Sequence, residues 1–468
     1  MKNRVDIKDF ILQIERDFPV NNWKVEGIHL WPMLRIRLFF HLIRKLEATS
    51  DEPKKEKLTA HSSGIANKLG RLFGRFLSIV EYFRWKSSLK KKDYVFVGFD
   101  VHRAAHDGER YNKFFDPIID RRKIADESMV FEFGPRVAEN QHNKKLIVWY
   151  QKAMTGFWTL LKFRKVEPNI ELEAYRQYHK FLADNPYTKE FSSWASYEIT
   201  RSSAVEFYKR VLFFESVLRK IQPCQAMFVC YYSNSDEMAM ITAANRLGIK
   251  TVEMQHGPQT DIHLCYGNWN RAPEGGYDML PREFWCWDEH SKNVMMMWAG
   301  KGNPHHAFVG GNPWIDFWRE NAKSYDAKDF VLYSLQPWPL TIDELFPPSI
   351  LEVIKKSERK WFLRLHPRQK DLQQINDLFA QNDILDKVEI ESATNAPLPL
   401  LLANAALHVT HYSGTAIEAS LFNLFTVLLN EKALASFPGL ISEGKAAYLD
   451  PRDSRFKEQF EALSLSKR

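Results

Sequence analysis

The sequence has few cysteines, few glycines and no long apolar run. The four cysteines among 468 residues form neither a C-x-x-C pair nor a zinc-ligand spacing, which excludes a disulfide framework and predicts a reducing cytosol. The 20 glycines exclude collagen-like and low-complexity designs. No stretch approaches the ~18 apolar residues that span a bilayer, and the N-terminus lacks the apolar core of a secretory signal. These absences predict a globular, cytoplasmic protein.

Two familiar nucleotide-site motifs are also missing. There is no G-x-G-x-x-G, which argues against a nicotinamide or flavin dehydrogenase. The segment Gly439–Lys445 matches most of a P-loop, but Ala446 stands where Ser or Thr would hold magnesium. No D-x-D and no His/Cys metal cluster occurs. We therefore predict a reaction that needs neither a metal ion nor a cofactor.

The positive charge is concentrated in one segment. The whole chain has a net charge of +7, and residues 67–92 alone hold eight basic residues and one acidic residue. Their apolar residues recur at helical spacing, which predicts a basic amphipathic helix. Such a helix could pack its apolar stripe on the protein or lie on an anionic membrane. No recognition motif accompanies the charge, so nucleic acid is not expected as a partner. The stripe consists of Leu69, Leu72, Phe73, Phe76, Leu77, Val80 and Phe83.

The rest of the chain alternates short β-rich runs with longer helical runs, in two successive series. This pattern predicts an α/β protein with two Rossmann-type parallel-sheet domains. We expect an N-terminal helical extension at 1–92, which includes a polar linker at 48–66. An acceptor-side domain at 93–318 and a nucleotide-side domain at 319–468 would follow. Ligands of such sheets bind at the carboxyl ends of the strands, so we expect the site in a cleft between the two domains.

The strongest anion-site candidate follows the strand LHVT (407–410). A Ser/Gly/Thr turn there opens a predicted helix, whose free N–H groups and dipole favour phosphate. Ser413 and Thr415 add hydroxyl donors beside Gly414, and Glu418 could reach a ribose or sugar hydroxyl. The alternative is an ordinary helix cap with a solvated glutamate.

Further candidates stand at other strand ends. Arg364 and His366 end the strand WFLRLH, where Pro367 stops it. His256 follows TVEMQ in Gln255-His256-Gly257, and Asp107 follows YVFVGF in a charged loop. His256 and Asp107 are the candidates for a general base. The alternatives are hydrogen-bonded turn histidines and a solvated loop.

These residues carry a family resemblance over roughly 94–450. The sequence resembles bacterial surface-polysaccharide glycosyltransferases of the two-domain GT-B type, especially capsule and lipopolysaccharide Kdo transferases and bacterial sialyltransferases. The resemblance implies that His366, Ser413 and the neighbouring residues hold the nucleotide of a CMP-sugar such as CMP-Kdo. Asp107 departs from the sialyltransferase base motif, because His106 stands in its first acidic position. The matching pieces are Gln255-His256-Gly257, Leu335-Gln336-Pro337, Arg364-x-His366-Pro367 and Ser413-Gly414-Thr415-x-x-Glu418-Ala419.

The implied function is transfer of a sugar from a nucleotide-activated donor to an oligosaccharide or lipid-linked saccharide acceptor. A base in the N-terminal domain would deprotonate the acceptor hydroxyl while the other domain stabilises the leaving phosphate. The protein would be cytoplasmic, and residues 67–92 could hold it at the inner face of the cytoplasmic membrane. A CDP-glycerol-type phosphotransferase, a noncatalytic polysaccharide-assembly protein and a nucleotide-sugar epimerase remain alternatives.

Overall fold

The computed structural model describes residues 1, 3–47, 68–134, 140–321, 329–336, 340–366, 369 and 372–466. The predicted linker at 48–66 lies outside these residues, as do Pro337, Pro367 and Arg368. The chain forms two compact units. The first contains Met1–Arg103 and Phe114–Gly311, and the second contains Ala104–Lys113 and Asn312–Arg468.

The N-terminal helices are built into the first unit. Asn3 caps the first helix by accepting a hydrogen bond from the Asp6 N–H at 3.0 Å. The buried faces of these helices join the same apolar core as the large sheet of the unit. This region consists of α1 (Arg4–Asp17), β1 (Trp23–Val25), β2 (Ile28–His29), α2 (Trp31–Glu47) and α3 (Lys68–Ser88).

The first unit holds a seven-stranded sheet whose strand pairs are all parallel, in the order β12-β11-β10-β9-β3-β6-β7. Strand β8 instead pairs with β1 in a three-stranded sheet. The strands from 94 to 309 are β3 (Tyr94–Phe99), β4 (Arg103–His106), β5 (Glu109–Asn112), β6 (Ser128–Phe133), β7 (Ile147–Val148), β8 (Ile170–Leu172), β9 (Gln225–Phe228), β10 (Lys250–Met254), β11 (Glu283–Cys286) and β12 (His306–Val309).

Helices connect these strands and cover the sheet. The longest, α8, is capped by Ser196 and buries nine residues. The helices are α4 (Asp116–Arg122), α5 (Gln151–Phe163), α6 (Tyr175–Asp184), α7 (Lys189–Ser192), α8 (Tyr197–Ile221), α9 (Ser235–Arg246) and α10 (Glu289–Met296).

The second unit holds a six-stranded parallel sheet in the order β15-β14-β13-β16-β17-β18. Its strands are β13 (Phe330–Ser334), β14 (Trp361–Arg364), β15 (Val388–Glu389), β16 (Ala405–Thr410), β17 (Thr426–Leu428) and β18 (Ala446–Tyr448). Its helices are α11 (Pro313–Asn321), α12 (Ile342–Leu345), α13 (Pro348–Lys356), α14 (Leu372–Gln381), α15 (Glu391–Asn395), α16 (Leu398–Asn404), α17 (Thr415–Leu421), α18 (Lys432–Ser436), α19 (Pro438–Ser442) and α20 (Phe456–Ser466).

Strands β4 and β5 form a separate hairpin that belongs to the second unit from Ala104 onward. Asp107 and Gly108 make its two-residue turn, with φ values of 47° and 81°. Both angles lie in the left-handed region, which this kind of hairpin turn requires and which Asp-Gly adopts readily. The hairpin packs on α11. The centroid of the His106 ring lies 5.0 Å from that of Phe317 and 5.4 Å from that of Trp318.

Both large sheets reverse their strand order once. In each, the chain starts at a central strand, adds strands on one side, and then returns to add the others on the opposite side. This order is that of a Rossmann fold. The predicted α/β, GT-B-like class with two Rossmann-type parallel sheets is therefore confirmed. The three-part domain division and the cleft remain predictions.

Candidate functional site

His256 lies at the carboxyl end of β10, on a turn held by its neighbour. The Gln255 Oε1 accepts a hydrogen bond from the Trp287 N–H at 2.7 Å, and its Nε2 donates to the Gly257 carbonyl at 2.9 Å. The same Nε2 lies 3.0 Å from the Ser291 hydroxyl. The buried amide of Gln255 thus ties the turn to the chain that follows β11. Gln255 fixes where His256 stands.

The His256 imidazole is partly open and lies between two tyrosines. Its side chain is 20% exposed. The Tyr266 hydroxyl is 3.3 Å from Nδ1, and the Tyr232 hydroxyl is 3.5 Å from Nε2. Desolvation lowers the pKa of His256 to about 4, so the ring is neutral at pH 7. A neutral imidazole that a ligand can reach has the properties of a proton acceptor.

Two buried carboxyl groups stand behind this histidine. Glu253, inside β10, is 1% exposed, and its Oε1 accepts a hydrogen bond from Tyr266 at 2.9 Å. Glu237, in the first turn of α9, accepts hydrogen bonds from the Ser233 hydroxyl and the Cys230 N–H. Burial raises the pKa of Glu237 to about 8 and raises that of Glu253 well above its usual range. Buried acids with strongly shifted pKa values cluster at functional sites.

The loop that carries Tyr266 is fixed by a buried arginine of α2. Arg35 donates hydrogen bonds to the carbonyls of Leu264 at 2.7 Å and Asn268 at 2.9 Å, on either side of Tyr266. Its Nε lies 2.9 Å from Glu15 Oε1, with both side chains buried. The N-terminal helices therefore determine where the Tyr266 hydroxyl stands.

Asp107, the other predicted general base, has a different setting. Its side chain is 74% exposed in the hairpin turn, and Oδ2 lies 3.7 Å from His106 Nε2. The need for a left-handed turn accounts for Asp107-Gly108 without any catalytic role. The assignment of Asp107 as base stays a prediction.

In the second unit, the candidates gather where the strand order reverses, between β13 and β16. Gln336 follows β13 and Tyr412 follows β16. The Gln336 Oε1 accepts a hydrogen bond of 2.7 Å from the Tyr412 N–H. The Thr410 hydroxyl donates to the Ser334 carbonyl at 2.9 Å. Reversal points of this kind are the usual ligand sites of open α/β sheets. Gln336 holds this point together.

The Ser413 turn lies at the same edge. The Ser413 Oγ accepts a long hydrogen bond of 3.4 Å from the Thr415 N–H, and Gly414 precedes α17, a helix of seven residues. The Thr415 Oγ1 is buried without a hydrogen-bond partner in the described part of the chain. Burial raises the pKa of Glu418, whereas Lys113 and Arg364 lower it. This edge therefore combines an unpaired hydroxyl with a partly buried carboxyl group.

Arg364 and His366 stand at the end of β14, the next strand. The Arg364 Nη1 donates to the carbonyls of Ala393 and Ala396, at the end of α15, so part of its guanidinium has a structural role. Desolvation lowers the pKa of Arg364. His366 is half-buried in a turn closed by the Gln369 N–H and the His366 carbonyl at 2.8 Å. The ligand roles of both residues stay predictions.

Metal-binding side chains are not clustered within the described ranges. Groups of three or more His, Cys, Asp or Glu side chains that could hold a metal ion are absent from this part of the chain. The cysteines at 224, 230, 265 and 286 are free thiols.

Sequence reasoning found His256 but missed its two partners. Glu253 carries a readable signal, because a carboxylate within an otherwise apolar strand is rarely buried without a reason. Tyr266 carries none, since it comes from an irregular loop and meets His256 only through the fold.

Neither the family models nor the curated proteins include a match to this chain. Among solved structures, it is similar to UDP-GlcNAc 2-epimerase from Methanocaldococcus jannaschii, with 14% identity and a TM-score of 0.46, covering 79% of this chain and 91% of that one. The Neisseria meningitidis UDP-GlcNAc 2-epimerase bound to UDP-GlcNAc gives 15% identity, a TM-score of 0.46 and the same coverage. Acinetobacter baumannii MurG gives 11% identity and a TM-score of 0.40, covering 80% of this chain and 90% of that one. At these values we draw no functional conclusion from the likenesses.

Proposed function

We propose that this chain is a glycosyltransferase that moves a sugar from a nucleotide-activated donor to a saccharide acceptor. The second unit would bind the nucleotide, and His256 of the first unit would act as general base toward the acceptor hydroxyl. A CMP-sugar such as CMP-Kdo is our first candidate donor, on the motif resemblance. The acceptor would be an oligosaccharide or a lipid-linked saccharide.

The setting of His256 carries this proposal. A neutral, partly open imidazole stands at the carboxyl edge of a parallel sheet, with a buried carboxyl group behind it. Activating a hydroxyl nucleophile requires a base that is unprotonated at the working pH and within reach of the substrate. His256 meets both conditions, whereas the left-handed hairpin turn accounts for Asp107-Gly108 without a catalytic role.

The second unit supports the nucleotide half of the proposal. Its candidate residues surround the reversal point of a Rossmann-ordered sheet, where such sheets bind ligands. The Thr415 hydroxyl is buried without a partner among the described residues, and Ser413 makes only a long hydrogen bond. The Ser413 hydroxyl is thus available to a phosphate oxygen, and the buried Thr415 hydroxyl has an unused donor beside it.

Incubation with a panel of CMP-, UDP-, GDP- and CDP-activated sugars, without acceptor and with EDTA present, tests the proposal. We expect one nucleotide to be released slowly by hydrolysis of its donor, because a transferase base can also activate water. An isomerised nucleotide sugar would instead identify an epimerase. Turnover of CDP-glycerol would identify a phosphotransferase, and loss of turnover that magnesium restores would contradict metal independence.

The nucleotide site makes a separate prediction. Changing Ser413→Ala and His366→Ala should weaken binding of the preferred nucleotide, since each change removes a donor to a charged phosphate worth roughly 1.5–3 kcal/mol. Isothermal titration with the free nucleotide measures this, and Ser436→Ala, on an exposed helix of the same unit, is the control. Unchanged affinity in both variants, with the fold intact, would rule out this site.

The membrane part of the proposal rests on α3. One side of this helix packs on the first unit, where Trp85 stacks on Phe213 and the Tyr82 hydroxyl lies 2.7 Å from Ser216 Oγ. The other side exposes large apolar residues that are 46–62% accessible, namely Phe76, Leu77, Val80 and Phe83. The four described members of the predicted stripe are therefore about half exposed, which supports the membrane alternative. The side chains of Arg71 and Arg75 lie outside the described residues.

Binding to vesicles follows from this face. We expect sedimentation with anionic vesicles at low salt and weaker binding at high salt, because each Lys or Arg near the surface contributes on the order of 1 kcal/mol that salt screens. None of the described helices combines the length and apolar character needed to cross a bilayer. Changing Arg71, Arg75, Arg84, Lys90, Lys91 and Lys92 to Gln should reduce binding.

A matched control distinguishes binding through the exposed face of α3 from nonspecific hydrophobic binding. Phe76→Gln with Phe83→Gln should lower vesicle binding, whereas Leu385→Gln with Leu434→Gln should not. The second pair is similarly exposed, at 49% and 47%, but lies in the other unit. Equal and weak binding to neutral and anionic vesicles at low salt would contradict the membrane role.

A further inference from the structure

A single hydroxyl joins the proposed base to the buried carboxyl group behind it. The Tyr266 oxygen lies 2.9 Å from Glu253 Oε1 and 3.3 Å from His256 Nδ1. The direct separation of Oε1 and Nδ1 is 3.8 Å, too long for a hydrogen bond. Tyr266 is 2% exposed and Glu253 is 1% exposed, so bulk water has little access to the link.

The number of protons in this group restricts its hydrogen bonds. The Tyr266 hydroxyl has one proton, which it donates to Glu253 Oε1 when that carboxyl group is ionised. Its oxygen can then accept from the Nδ1–H of His256, so this pair of hydrogen bonds favours the imidazole proton on Nδ1. The backbone of Val229 and Met254 also hydrogen-bonds the ring and competes for its proton. The other nitrogen, Nε2, is left with its lone pair. A protonated Glu253 would reverse both hydrogen bonds and move the imidazole proton to Nε2.

We propose that Glu253 and Tyr266 are positioning residues that set the tautomer of His256 and receive the proton that His256 removes from the acceptor. This inference rests on the proposed role of His256 as general base. In this arrangement, the ionisation of the buried Glu253 decides whether Nε2 of His256 accepts or donates a hydrogen bond.

The proton transfer balances within the group. The acceptor O–H bond breaks as a bond forms between that hydrogen and His256 Nε2. The Nδ1 proton passes to the Tyr266 oxygen, and the Tyr266 proton passes to Glu253 Oε1. The acceptor becomes an alkoxide, the imidazole and the tyrosine are again neutral, and Glu253 becomes a carboxylic acid. The negative charge has moved from Glu253 to the attacking oxygen.

The surroundings favour a proton-accepting Glu253. Burial raises its pKa, which makes the carboxylate a stronger base than an exposed one. The backbone of Tyr231 lowers this pKa, but Oε2 lacks a well-formed hydrogen bond within the described part of the chain. An imidazole whose pKa is about 4 is a weak base alone, so a stronger acceptor behind it improves proton removal.

Most other groups that face Glu253 or His256 stay neutral near pH 7. The thiol and phenol groups have raised pKa values, and His263 has a pKa lowered to about 4. Glu237, whose pKa is about 8, is the one group in this set that competes with Glu253 for protons. The charge of the Arg35 guanidinium lowers the pKa of Tyr231 and of Cys265, and this guanidinium is paired with Glu15. The thiol and phenol groups are Cys230, Tyr231, Tyr232, Cys265, Tyr266 and Cys286.

Nitrogen NMR of ring-labelled histidine tests this without any substrate. The His256 signals are assigned by their loss in His256→Gln, and the two neutral tautomers have distinct ¹⁵N shifts. In the wild-type protein we expect the Nδ1–H tautomer at high pH and a shift toward Nε2–H as acid protonates Glu253. Glu253→Gln and Tyr266→Phe should abolish this pH dependence. Tyr232→Phe should keep it, and Glu237→Gln should move only its midpoint.

Turnover gives a second readout. Tyr266→Phe should lower kcat on the order of 10- to 100-fold, less than loss of His256 itself, with the nucleotide affinity unchanged. A His256 tautomer that is the same in wild type, Tyr266→Phe and Glu253→Gln, with the fold retained by circular dichroism, would overturn the relay. Failure of the proposed function looks different, because the tautomer would respond as expected while no nucleotide sugar is consumed.

Discussion

His256→Gln should reduce kcat for sugar transfer by about 10²–10⁴-fold, the usual contribution of a general base. The amide keeps polar atoms in place of the imidazole but does not accept a proton. The Kd for the nucleotide should stay unchanged, because the proposed nucleotide residues belong to the other unit. Steady-state kinetics and nucleotide titration on the same preparation measure both quantities.

His290→Gln is the matched control for this change. His290 is an exposed histidine on α10 of the same unit, so its loss should leave kcat within twofold, on the order of assay error for a surface substitution. Full activity of His256→Gln would remove His256 from the mechanism and return Asp107 as the candidate base.

Glu15→Ala should lower the free energy of unfolding of the first unit by about 3–5 kcal/mol, because it leaves Arg35 buried without its counter-charge. Arg35 is fully buried, lies over the Trp269 ring at 3.9 Å, and makes hydrogen bonds only to carbonyl groups in the described structure. Denaturant unfolding followed by tryptophan fluorescence measures the change.

An exposed ion pair in the same unit provides the comparison. Glu289 lies 3.1 Å from Lys292 and is 68% exposed, so Glu289→Ala should cost less than about 1 kcal/mol. Equal effects of the two alanine changes would mean that Arg35 reaches solvent or another anion when Glu15 is removed. The loop carrying Tyr266 would then need a different anchor.

The central strands of both sheets could be predicted from the sequence, whereas two short edge strands and the hairpin could not. YVFVGF and LHVT are buried apolar runs, and both are strands. Strands β7 and β18 are edge strands of two and three residues with half-buried positions, so they carry too little apolar signal. Asp107-Gly108 follows a predicted strand in a charged loop, which suggests a catalytic role, but Asp-Gly is also a strong hairpin signal.

The candidate site also contains residues that the sequence predicts and residues that it does not. His256 and Gln336 follow predicted strands, so the rule that ligands meet the carboxyl ends of parallel strands selects them from sequence alone. Tyr266 and Arg35 meet the His256 region from an irregular loop and from a helix more than 200 residues earlier. Contacts of that kind depend on tertiary packing, and no local spacing encodes them.

The hairpin of β4 and β5 has a consequence for how this chain can be divided or inherited. Ala104–Lys113 supplies Tyr111 to a small aromatic cluster with Trp314 and Trp318. A gene fragment that began at Asn312 would encode the six-stranded sheet but leave these tryptophans uncovered, and exposed aromatic clusters promote aggregation. The second unit is therefore not a contiguous module. Exchange of halves between related genes would have to carry this short segment of the first half along with the second.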